Sequence, residues 1–180
     1  MVQLRFSSAV MLAIGAATFG CQANVFHTEV KGETTIQGSP LGGILGAFPT
    51  AANFTNLDFD ANQDFKNQGV HKNQVNSVKA ESIKLKVVSP SDQDFRFLDQ
   101  LQFFAKSGDT ETLVGEKLGI SDLDLSAPNP VLSLEMKDAE LKDHVSAPSM
   151  SIIVRGKGRP PPQDTRIEAA VNLRVEIKLF

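Results

Sequence analysis

From Arg166 to Leu179 apolar and polar residues alternate without a break: Ile167, Ala169, Val171, Leu173, Val175, Ile177 and Leu179 fall on one parity, and Arg166, Glu168, Ala170, Asn172, Arg174, Glu176 and Lys178 on the other. A period of two with one charged face predicts a long strand that covers a core on one side only. Strands of that kind belong to antiparallel sheets. Shorter alternations predict further strands over 29–36, 56–59, 83–88, 101–105, 113–118, 132–136 and 150–154. Turn signals lie between them: Gly38 with Pro40, Asn67 to Gly69, Pro90 to Asp92, Gly108 with Asp109, Pro128 to Pro130, Pro148, and Gly156 to Pro162. The chain reads as all-β: an antiparallel two-sheet sandwich, immunoglobulin-like or similar, of about seven to nine strands.

Three local features refine this picture. Val75, Val78 and Ala80 do not share parity with Ile83, Leu85 and Val87, which predicts a bulge or break near Glu81 and Ser82. Residues 139–145 suit a single helical turn bridging the sheets. The run Arg159, Pro160, Pro161, Pro162 reads as a stiff loop feeding the last strand, with a polyproline ligand as the alternative. A terminal Phe180 invites comparison with outer-membrane barrels. Counting back by twos from it gives Lys178, Glu176, Arg174 and Asn172, a row that a lipid-facing strand cannot carry.

The first residues follow another logic. A single charge at Arg5, an apolar run from Ala9 to Phe19, then Gly20 and the sole cysteine, Cys21, have the layout of a secretory signal peptide, too short in its apolar part to span a bilayer. Thr18, Phe19, Gly20 and Cys21 resemble the lipobox of bacterial envelope lipoproteins: the small residue before the cysteine is present, whereas Thr18 and Phe19 depart from the usual Leu and Ala or Ser. The resemblance is confined to the leader. It implies cleavage before Cys21, a diacylglycerol on its thiol and a membrane held through that lipid. With Gln22, not Asp, beside the anchor, it implies the outer membrane. The alternative is an ordinary signal-peptidase cut after Ala23, with Asn24 as the mature N-terminus of a secreted or periplasmic protein. The expected organisation is a signal peptide over 1–20, an anchor region with an apolar glycine-rich segment over 21–52, and a sandwich over 53–180 that strand 29–36 joins.

Composition removes several function classes. Beyond the leader, 17 basic against 21 acidic side chains leave a net charge of −4, no electrostatic footprint for nucleic acid. Trp and Tyr are absent while Phe occurs 12 times, which weakens sugar-stacking and membrane-girdle readings. A lone cysteine forms no internal disulfide.

Candidate chemistry is sparse. Asp58, Asp60, Asn62 and Asp64 follow the 1, 3, 5, 7 spacing of a calcium loop. Gln63 stands where the turn needs Gly, and Gly69 where the closing Glu belongs, so calcium is a weak candidate and no other cofactor is expected. His27, His71 and His144 sit in unrelated segments and read as solvated loop residues. No Gly-x-Ser-x-Gly elbow anchors a hydrolase triad, and Asp92, Asp94 and Asp99 read as the wet side of an amphipathic stretch rather than a carboxylate pair. Leu41, Ile44, Leu45 and Phe48 lie in an uncharged, glycine-rich stretch that either covers the core or offers a contact surface. The expectation is a non-enzymatic, lipid-anchored structural or binding module with an envelope protein as partner. A carrier of an apolar ligand held among Phe95, Phe97, Phe103 and Phe104 is the alternative, and a hydrolase with a loop-assembled site the third.

Overall fold

The computed structural model describes residues 24–45, 48–125 and 127–178; the leader, Cys21 and Phe180 lie outside them. In chain order the strands are β1 (Val25–Ile36), β2 (Val75–Ser89), β3 (Leu98–Ser107), β4 (Thr110–Leu118), β5 (Val131–Ser133), β6 (Glu135–Met136), β7 (Ser151–Gly158) and β8 (Thr165–Ile177), with short helices α1 (Gln63–Asn67) and α2 (Lys142–Ser146). They form two four-stranded sheets, β1-β8-β2-β5 and β6-β4-β3-β7, and every pairing is antiparallel. First and last strands lie side by side, so the sandwich is present without the ABED and CFG strand order of immunoglobulin sheets.

The alternation of β8 does what its period requires. Ile167, Ala169, Val171, Leu173 and Val175 are buried, and β8 runs between β1 and β2 as a central strand. Its partner β2 changes register between Ala80 and Ser82, at the predicted bulge, which lets Val78 and Ile83 both point inward despite their mismatched parity. The helical turn expected over 139–145 is α2, whose His144 and Val145 are buried.

The two sides of the sandwich are closed differently. On one side β5 and β6 are a single run that changes sheets at Leu134, whose N–H donates to the Ile83 carbonyl at 3.0 Å. On the other side residues 48–62 fill the gap, with Phe48, Ala51, Phe54 and Phe59 buried. Gly32 makes room for this plug: a Cβ there would stand 2.7 Å from that of Ala51. The core therefore begins before residue 53, and β1 is a full member of it. The strand expected over 56–59 does not form. Leu57 makes one isolated bridge with Met150, Asn56 adopts a left-handed φ of 55°, and the Asp58 carboxylate accepts the Asp60 N–H at 3.2 Å, which turns the chain.

β1 begins where β8 ends, since Ile177 N–H donates to the Asn24 carbonyl at 2.8 Å. Ile36 and Thr165 are paired at the opposite end. A 12-residue strand separates these ends by about 40 Å.

Candidate functional site

The end bearing Ile36 carries an apolar tip. Gly38 N–H donates to Asp164 Oδ1 at 2.8 Å, Ser39 N–H to the Pro161 carbonyl at 2.8 Å and Leu45 N–H to the Gly158 carbonyl at 3.1 Å. These bonds tie the glycine-rich segment to the proline-rich loop and to the end of β7. Between the ties Gly42 and Gly43 take φ values of 71° and 134°, available to glycine without strain, and the Ser39 hydroxyl donates to the Gly42 carbonyl at 3.0 Å. The segment divides as a result. Leu41 and Ile44 stand 98% and 92% exposed, whereas Leu45 packs partly on the core and Phe48 is buried, lying against Gly156. A groove of about 270 Å3 beside them is lined by Pro40, Phe97, Arg159, Pro160 and Pro162. The proline run is thus a loop bonded to its neighbour and leading into β8.

The acidic loop is organised around a lysine. Lys72 Nζ donates to Asp58 Oδ1 at 2.8 Å and lies 3.7 Å from Asp60 Oδ2, while the Lys72 N–H donates to Asp60 Oδ1 at 2.9 Å. The Lys72 hydrogen bond holds the Asp58 carboxyl below its ordinary range. Asn62 caps α1, its Oδ1 accepting the N–H groups of Asp64 and Phe65 at 2.8 and 3.2 Å. Asp64 sits in the first helical turn. Among the described residues no three His, Cys, Asp or Glu side chains gather as a metal would need.

His144 departs from expectation. It is buried, with Nδ1 2.9 Å from Ser107 Oγ and Nε2 2.9 Å from Thr112 Oγ1. Burial pushes its imidazole below its ordinary range, against the smaller upward pull of Asp143. Both ring nitrogens meet hydroxyls, so no carboxylate orients it as in a hydrolase triad, and its geometric effect is to pin α2 to the paired strands β3 and β4. Sequence pattern missed it because no period marks a residue buried by a five-residue helix. His27 and His71 are largely exposed, 3.2 Å from Glu81 and 3.6 Å from Asp60.

The aromatic cluster also splits. Phe95, Phe97 and Phe103 are buried, but Phe104 projects from the other face of β3, where Arg155 lies 4.3 Å above its ring. Interior voids that include Phe103 hold only about 10 Å3 each. Asp92 and Asp99 are exposed. Asp94 is buried and paired with Arg96, its Oδ1 accepting the Arg96 N–H at 3.0 Å.

No protein-family model matches the chain, and no curated protein matches it. Among solved structures it is similar to a chain of Cocksfoot mottle virus, at 8% identity and a TM-score of 0.29 over 99% of this chain and 96% of that one. A likeness that loose carries no argument, and the sandwich rests on the strand pairings themselves.

Proposed function

We propose that this protein is a non-enzymatic binding module of a bacterial envelope, tethered by lipid on Cys21, that offers the Leu41 and Ile44 tip to another envelope protein. The observation that supports this reading is the presentation of two large aliphatic side chains, 98% and 92% exposed, on a loop held at both ends by backbone hydrogen bonds. Burying each of them is worth about 1.5–3 kcal/mol, and a loop already bonded in place loses little entropy on binding. The tip stands about 40 Å along β1 from Asn24, farther than a short link from Cys21 reaches. A carrier draws no support from interior voids of about 10 Å3, since small-molecule pockets need about 300 Å3 or more.

The test is a photo-crosslinking amino acid at Leu41 in intact cells, with the same group at Asp109 in the β3–β4 turn as control. The expected outcome is a discrete protein adduct from position 41 alone, lost when Ile44 is changed to Ser. Lipid adducts, or equal labelling at both positions, would overturn the reading.

A further inference from the structure

The sandwich has four sheet edges, and three are protected. β5 and β6 span only Val131–Ser133 and Glu135–Met136, and short edge strands recruit partners poorly. β7 is held on its outer side at both ends, by the Leu57 bridge to Met150 and by the Leu45 N–H to Gly158. Among the described residues β1 has no such device. It runs 12 residues without proline, and its pairing with β8 contains no bulge.

Its unpaired groups can be named. Asn24 accepts from Ile177, so the even-numbered residues of β1 bond to β8, and the N–H and C=O groups of Val25, His27, Glu29, Lys31, Glu33 and Thr35 point outward. Among the described residues no backbone group pairs with them. An open depression of about 330 Å3 here is lined by Lys31, Gly32 and Glu33 of β1 together with Ala52, Asn53 and Glu168.

The side chains of these same residues say what fits. On the solvent face, β1 reads His27, Glu29, Lys31, Glu33, which is self-complementary when reversed. An antiparallel second copy centred on Val30 sets Glu29 opposite Lys31 of the partner copy twice, and His27 opposite Glu33 of the partner copy twice, with outward groups meeting outward groups throughout. The registers two residues to either side set Lys31 against Lys31, or Glu29 against Glu29. Glu33 also faces Glu168 directly within the chain, a like-charge opposition that Arg166, 3.8 Å from Glu33, only partly offsets. A partner's imidazole adds a second counter-group.

We propose that β1 is a strand-addition surface for a second copy of this chain, joining the two β1-β8-β2-β5 sheets into one eight-stranded sheet about a twofold axis at Val30. Val25 of one copy then lies beside Thr35 of the other, so each apolar tip sits next to the N-terminal end of its partner. The pairing depends on neither the lipid nor the contact proposed for Leu41 and Ile44.

The test is sedimentation velocity of the purified full chain in mild detergent, with interference detection because Trp and Tyr are absent. The expected result is a dimer that Glu29→Lys or Lys31→Glu each weaken by about tenfold or more, through two new like-charge pairs. The double variant Glu29→Lys/Lys31→Glu restores it, and also keeps the internal 2.8 Å pairing of these two residues. Both side chains are exposed, and circular dichroism of each variant checks that the fold persists. A monomeric wild type, singles that dimerise like the wild type, or a double variant that stays weak would each overturn the proposal.

Discussion

Replacing Leu173 with Ala probes the core where both sheets meet. Leu173 is 1% exposed, lies opposite Thr28 of β1 and Ala80 of β2, and shares a small void with Ile83, Phe103 and Leu141. Three carbons leave the core, worth about 2.4 kcal/mol at about 0.8 kcal/mol each. The strands β8, β2 and β3 are each hydrogen-bonded on both sides and cannot collapse into the space, so a residual cavity on the order of 60–80 Å3 adds about 1.5–2 kcal/mol at about 24 cal/mol per Å3. The expected loss is about 4 kcal/mol, or about 8–16 °C in melting temperature for a domain of this size. Arg174, the next residue, pairs with Glu176 and Glu81 on the solvated face, and Arg174→Ala is expected to stay within about 0.5 kcal/mol. With neither Trp nor Tyr in the chain, urea unfolding is followed by far-ultraviolet circular dichroism, and an unchanged urea dependence identifies the effect as native-state stability. Equal losses at the two neighbours would refute the one-sided burial of β8.

Three further outcomes are expected. Because burial lowers the His144 pKa, the unfolded chain takes up this proton first as pH falls through about 6.5, so the contribution of neutral His144 is full above that pH and is lost below it; His144→Gln should remove this part of the pH dependence in melting curves. Gly38→Ala would place a Cβ 2.3 Å from the Gln163 carbonyl carbon, and a clash of that kind typically costs about 1–3 kcal/mol, read as a lower melting temperature. Added calcium should leave the melting temperature unchanged, in the wild type and in Asp60→Ala alike, because Lys72 already pairs with Asp58 and Asp60; a calcium-dependent rise of several degrees that vanishes in Asp60→Ala would contradict this.

What the sequence disclosed was local and periodic. The face of β8 and the bulge at Ala80 and Ser82 each follow from side-chain parity over a few residues. The sheet change at Leu134 and the plug over 48–62 depend on distant partners, Ile83 for the first and Gly32 for the second, which no local period records. The same limit explains the acidic loop, whose spacing suits a cation but whose bonding depends on Lys72, eight residues beyond Asp64. The parity of Phe95, Phe97 and Phe103 already sets Phe104 apart from the cluster. It follows Phe103 directly along β3, and a strand sends consecutive side chains to opposite faces.

The tether is tested most directly by the intact mass of the chain purified from cell envelopes, with Cys21→Ser beside it. A mature chain that begins at Cys21 and carries a diacylglyceryl group, together with failure of the Cys21→Ser chain to reach the membrane, is the predicted result. A chain that begins at Asn24, bears no lipid and fractionates as before after Cys21→Ser would contradict it.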